Sequence, residues 1–129
     1  MLFVRPQRLG VVNGRLHECP ASPNCVCSIT AGGDHGIVPL SFSDDWPTAK
    51  ARLLQVIHSL PRTRVVTDSD VYLHIECTSM LFRFVDDLEF LAEPATGIIH
   101  VRSASRVGHS DLGANRRRVE SIRSRFAKS

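Results

Sequence analysis

Between residues 71 and 77 apolar and polar positions alternate. Val71, Leu73, Ile75 and Cys77 share one parity, and Tyr72, His74 and Glu76 share the other. A period of two marks a strand with one face on a core. Over residues 82–90 Phe82, Phe84, Leu88 and Phe90 are apolar, and over residues 98–103 Ile99 and Val101 point inward. Residues 37–42, interrupted by Pro39, read as a first strand at an edge, and residues 65–67 as a short one. Two stretches change to the helical period. Trp46, Ala49, Leu53, Val56, Ile57 and Leu60 form one stripe, entered through Asp44 or Asp45 with Pro47 in the first turn and stopped by Pro61. Asn115, Val119, Ile122 and Phe126 form the other. The order β-α-β-β-β-β-α predicts an α+β fold, an antiparallel sheet of about five strands with the helices on one face.

Residues 1–36 carry no such period. Pro6, Gly10, Gly14, Pro20, Pro23, Gly32, Gly33 and Gly36 interrupt them. We expect an irregular arm packed on the sheet, with residues 37–129 as the α+β core of a single domain over residues 1–129. A hydrophobic fraction of 43% and a charged fraction of 22% exclude a disordered chain. No apolar run reaches the roughly 20 residues that span a bilayer. The expectation is a cytoplasmic protein, with export possible if the N-terminus is truncated.

Burial constrains the register, because a slip of one residue would turn an apolar set outward. Setting Leu88 opposite Val101 and Phe90 opposite Ile99 meets that constraint. It puts Asp87 opposite Arg102 and Glu89 opposite His100, around a loop at residues 93–96. Tyr72, His74 and Glu76 share their face. Carboxylates and imidazoles gathered in this way suit acid–base chemistry or a metal. They equally suit a ladder of opposite charges worth roughly 0.2–1 kcal/mol per pair. Asp86 has inward parity and needs a partner; Arg106, Arg116 and Arg118 are candidates.

Charge is unevenly spread. Residues 102–129 carry +6 and residues 1–101 carry −3. Residues 102–116 combine Arg102, Arg106 and Arg116 with Ser103, Ser105, Ser110, Gly108, Gly113 and Asn115, ahead of a helix start. Glycines admit close backbone approach, and arginine forks fit carboxylate or phosphate. The same residues also fit a helix-entry loop, with Asp111 or Ser110 as cap and Arg102 and Arg106 tied to Asp86 and Asp87. No Gly-Lys-Ser/Thr follows, so this is not a Walker phosphate loop.

Cys19, Cys25 and Cys27 fall within nine residues, and Cys77 has inward strand parity. Packed thiols rank first, a Cys19–Cys25 disulfide second, and zinc third, since the spacing matches no standard knuckle. No metal or cofactor is expected.

Three stretches carry a family resemblance. They are Arg5-Pro6 through Leu9-Gly10 with Gly14-Arg15-Leu16; Cys19-Pro20 through Ser22-Pro23-Asn24-Cys25-Val26; and Phe84 through Asp86-Asp87 and Glu89-Phe90, running into residues 102–118 and Glu120. The chain resembles the family catalogued as domain of unknown function 1499. That resemblance implies one constellation of arm, acidic strand and arginine segment, and no assigned reaction. It also implies relatives that carry an N-terminal membrane or export segment. Cys27 departs from the pattern, where serine is more usual.

The leading functional expectation is a binding module for an anionic small molecule at the Arg/Ser-rich strand-to-helix loop. Its site would draw on Asp86, Asp87, Glu89, Arg102, Ser103, Ser105, Arg106, Asp111, Asn115 and Arg116. One alternative is a small hydrolase or isomerase using Glu89 or Asp87 with His100. Another is a structural or interaction protein whose charges only lock the arm. Nucleic acid is disfavoured, because the chain has few aromatic residues for stacking. The sequence leaves the oligomeric state undetermined.

Overall fold

The computed structural model describes residues 8–21, 24–30, 32–81, 83–107 and 113–129. Along the chain run β1 (Val11–Val12), β2 (Arg15–Leu16), β3 (Cys25–Cys27), β4 (Leu40–Ser41), α1 (Trp46–His58), β5 (Thr63–Asp68), β6 (Tyr72–Thr78), β7 (Val85–Glu93), β8 (Ile98–Ser105) and α2 (Ala114–Ala127). The protein is α+β, with an antiparallel sheet ordered β3-β8-β7-β6-β5. β4 shares the outer edge of β8 with β3: Leu40 pairs Ile99, while Cys25 pairs Ala104. The strand expected over residues 37–42 is therefore short, and the arm itself supplies a sheet strand.

Alternation does what burial demands of it. Leu73, Ile75 and Cys77 of β6, Leu88, Phe90 and Ala92 of β7, and Ile99 and Val101 of β8 all enter one core. Against them pack Trp46, Leu53 and Ile57 of α1 and Val119, Ile122 and Phe126 of α2. Fully burying a side chain of this size stabilises by about 1.5–3 kcal/mol. Asp45 caps α1 by accepting from the Thr48 amide at 2.9 Å, with Pro47 in the first turn. Trp46 donates its indole N–H to the Asp70 carbonyl at 2.8 Å. That bond ties the start of the helix to the β5–β6 turn.

The register of β7 on β8 differs from the expected one by two residues. Phe90 lies opposite Val101, Glu89 opposite Arg102 and Leu91 opposite His100. The cause is Gly97. It has φ +69° and closes the turn by donating to the Glu93 carbonyl at 3.0 Å, so it belongs to the loop and not to the strand. A slip of two preserves parity, so every residue keeps its face. Gly97 also sits under β4: an added Cβ would meet the Phe42 carbonyl oxygen at 2.6 Å.

Gly97→Ala should therefore destabilise by about 2–3 kcal/mol, combining a disfavoured φ with backbone overlap. Urea denaturation would measure it, and a loss below a few tenths would contradict the crowding.

Candidate functional site

The two faces of the sheet each carry a polar network, and these hold most of the sequence-expected residues. On the face away from the helices, β7 supplies Asp87 and Glu89, β6 supplies Tyr72, His74 and Glu76, and β8 supplies Arg102, with Arg106 just beyond its end. This face is not open to water. The arm lies over it, with β2 against β7 and β8. Asp87 and Glu89 are 0% exposed and Arg102 is 3% exposed.

Burial at that level requires partners. Arg106 grips Asp87 with both ends of its fork, Nε to Oδ2 at 2.8 Å and Nη2 to Oδ1 at 2.9 Å. Its Nη2 also reaches Glu76 Oε2 at 2.5 Å, while Arg64 takes the other Glu76 oxygen at 2.7 Å. His74 Nε2 lies 2.7 Å from Asp87 Oδ1. Burial alone would raise the Asp87 pKa, but the Arg106 fork and His74 outweigh it and hold the carboxyl below its ordinary value. Glu76 is lowered in the same way, by Arg106 and Arg64 against burial. The Asp87 bonds raise the Arg106 pKa further.

Glu89 is the group that meets the arm. Its Oε2 accepts from the Gly10 amide at 2.8 Å and from the Tyr72 hydroxyl at 2.5 Å. Burial and the Glu89 carboxylate push the Tyr72 phenol well above its ordinary pKa. Arg102 Nη1 reaches Glu89 Oε1 only at 3.5 Å, and Arg102 Nε is buried without a partner among the described residues.

The helix-side network is built around α2. Asp86 pairs with Arg118 Nη2 at 2.8 Å, so Arg118 is the partner that its inward parity demanded. Arg118 also donates to Ser103 Oγ and Asn115 Oδ1. Ser103 Oγ donates to Asn115 Oδ1 at 2.6 Å, and Asn115 Nδ2 donates to Ser105 Oγ and to the Asn24 carbonyl, each at 3.0 Å. Asn24 in turn donates to the Val107 carbonyl.

Ten residues were expected to form one site, and the sheet divides them. Asp87, Glu89, Arg102 and Arg106 lie under the arm. Asp86, Ser103, Ser105 and Asn115 lie under α2. Arg116 joins neither group and donates to the Asp34 carbonyl at 2.8 Å. Asp111 falls outside the described residues. His100, expected beside Glu89, sits opposite Leu91 and bonds Ser28 Oγ at 3.0 Å and Glu93 Oε2 at 3.1 Å. Sequence reading missed Gly10, Asn24, Ser28 and Arg64 as participants. Three of the four act through the arm, where no period announces a position.

The cysteines correct the expected ranking. Cys19 and Cys25 form a disulfide with Cα atoms 5.7 Å apart. The bridge ties the arm to β3 and, by closing a short loop, stabilises by about 2 kcal/mol. Cys27 and Cys77 are buried free thiols. Burial raises both, Cys77 to about 11, so neither is a poised nucleophile. Among the described residues no group of three or more His, Cys, Asp or Glu side chains could hold a metal ion. None of the described helices is long and apolar enough to cross a membrane.

The charge network and the bridge each make a measurable contribution. Asp87 and Glu76 have lower pKa values folded than unfolded. Their contribution is therefore full above the unfolded value of about 4 and disappears as pH falls through the folded ones. Stability measured against pH should drop below about pH 5, and Arg106→Gln should flatten that drop. Reducing the Cys19–Cys25 bridge should lower the melting temperature by roughly 6–10 °C; an unchanged melting curve would mean the bridge carries no load.

No curated protein matches the chain. The family model described as protein of unknown function (DUF1499) matches residues 15–126, from β2 to the last buried residue of α2. The resemblance seen from residue 15 onward, in the Cys19–Val26 stretch, the acidic strand and the arginine segment, is thereby borne out, and the chain belongs to the DUF1499 family.

Proposed function

We propose that the chain is a non-catalytic interaction module, in which paired charges fasten the N-terminal arm to the sheet and keep the whole body rigid. One observation carries this reading: Asp86, Asp87 and Glu89 are all buried and each meets its own arginine, Arg118, Arg106 and Arg102. A catalytic carboxylate needs access to substrate, and these have little or none. The His74–Asp87 pair has the spacing of a base and its orienting acid, yet His74 is itself buried. The Cys19–Cys25 bridge supports an oxidising compartment over the cytoplasm first expected.

A second reading keeps the anionic small molecule. It is favoured by Arg102, a buried guanidinium with one long contact and an Nε that meets no acceptor among the described residues. A small carboxylate or phosphate reaching it would supply the missing acceptor.

Glu89→Ala separates the two. Under the lock reading it leaves Arg102 unpaired and frees Gly10, costing about 3–5 kcal/mol. Amide exchange should then accelerate over residues 8–21 more than in α2; unchanged protection of the arm would reject the lock. Under the ligand reading, phosphate or a dicarboxylate at 100 times its dissociation constant should stabilise the native chain by about 2.7 kcal/mol. No thermal shift with either class would reject that reading.

A further inference from the structure

The hairpin joining β6 to β7 is built differently from the other turns. Its base is closed in both directions, Ser79 N to the Phe84 carbonyl at 2.8 Å and Phe84 N to Ser79 Oγ at 2.9 Å. From that fixed base the tip projects two large apolar side chains into water: Met80 is 72% exposed and Leu81 79%. They are the most exposed large hydrophobic residues among those described. Arginines surround them. Arg83 follows in the same tip and is exposed. Arg62 is held against the hairpin base by reciprocal bonds with Thr78, its backbone carbonyl accepting from Thr78 N at 3.0 Å and its Nε donating to Thr78 O at 3.1 Å. Arg64 lies on the adjacent strand with its side chain 66% exposed. Arg62 and Arg83 both have positive φ, 56° and 58°. That conformation disfavours any side chain and persists only where the surroundings impose it.

The described carboxylates near this end are engaged by Arg64, Arg106 and Arg118 and not by Arg62 or Arg83. Glu76 is taken by Arg64 and Arg106, and Asp86 by Arg118. Exposed acids gather at the far end of the strands, where Asp68 and Asp70 occupy the β5–β6 turn, Glu93 ends β7, and Asp45 caps α1 beside them. Arg62 and Arg83 thus stand beside the exposed apolar tip at the end of the strands away from these acids, of which Asp68 is itself paired with Lys50.

We propose that this hairpin tip docks the protein on an anionic lipid surface, with Met80 and Leu81 entering the interface and Arg62 and Arg83 meeting lipid phosphates. Met80 and Leu81 do not line the cavity of about 200 Å³ at the hairpin base, so a small ligand held there would leave both in water. Interfacial binding grows with inserted apolar area and with attraction to anionic headgroups, and both are present here. Long arginine stems keep their charge at headgroup level while apolar neighbours insert. The acids at the opposite end face away from the membrane in this orientation. The proposal goes beyond the lock of the arm and does not depend on it.

Co-sedimentation of the full chain with vesicles tests it, using equimolar phosphatidylglycerol and phosphatidylcholine against phosphatidylcholine alone. The native chain should pellet with the anionic vesicles in preference to the neutral ones, and salt should weaken the binding. Arg62→Gly with Arg83→Gly, which keeps the left-handed backbone accessible, should weaken it about fivefold per arginine. Met80→Asp with Leu81→Asp should abolish it while leaving the melting temperature unchanged, because both sites are exposed. Failure of the native chain to pellet, equal pelleting with both vesicles, or persistent binding by the aspartate variant would overturn the proposal. So would a tip that captures a protein and no lipid. None of these results would alter arm exchange in Glu89→Ala, so the two readings fail separately.

Discussion

Asp87 lies in the middle of the sheet, shut off from solvent, and Arg106 answers it with a two-pronged grip. An ionised carboxylate in that position is untenable without such a partner, and an isolated guanidinium beneath the arm would be equally so. The pairing fixes more than two residues. Holding Arg106 fixes where β8 ends, and Glu76 and Arg64 extend the chain of charges to the outer strand β5. On the other side of Asp87, His74 is locked into one orientation. Glu89 does for the arm what Asp87 does for β8. The polar face is therefore a single arrangement of interlocking demands, and the arm closes over it because Glu89 needs the Gly10 amide.

The sheet separates that network from a second one, and the two differ in kind. Under the arm the contacts are mostly charge to charge. Under α2 they centre on Asn115 and Ser103, neutral groups that must each be satisfied several times. Asn115 connects the helix, β8 and the arm through Asn24. Arg118 adds a charge pair on that side. The conspicuous arginine and serine segment is thus shared between two faces, because β8 sends Arg102 one way and Ser103 the other.

How much of this can be read from the chain follows from the periods involved. Parity places Tyr72, His74, Asp87, Glu89 and Arg102 together correctly, because core burial enforces it whatever the register. The register itself is off by two residues when Gly97 is assigned a strand position, although a glycine beside Pro94, Ala95 and Thr96 is better suited to closing the turn at positive φ. Asp86 is legible as a buried acid, and its partner is one of the three candidates. The arm is the least legible part. Asn13 and Gly14, both at positive φ between β1 and β2, are the residues a two-residue hairpin asks for, and that signal is present in the sequence. The strand at residues 25–27 leaves none, since three residues cannot display an alternation. The disulfide can be named but is ranked below packed thiols, because spacing carries no geometry.

A sheet with two free margins invites another chain to extend it. On one margin β5 carries a bulge between Val65 and Thr67 and an outward arginine at residue 64, which make regular addition of a strand difficult. The opposite margin, β8, is covered in instalments. β3 takes the upper half and β4 the lower, and Ser28 fills the interval by accepting from the Val101 amide and donating its own to the Val101 carbonyl. Detaching the arm would uncover half of that margin at once. The clasp around Glu89 and the Cys19–Cys25 bridge therefore also hold that cover in place over the backbone edge of β8.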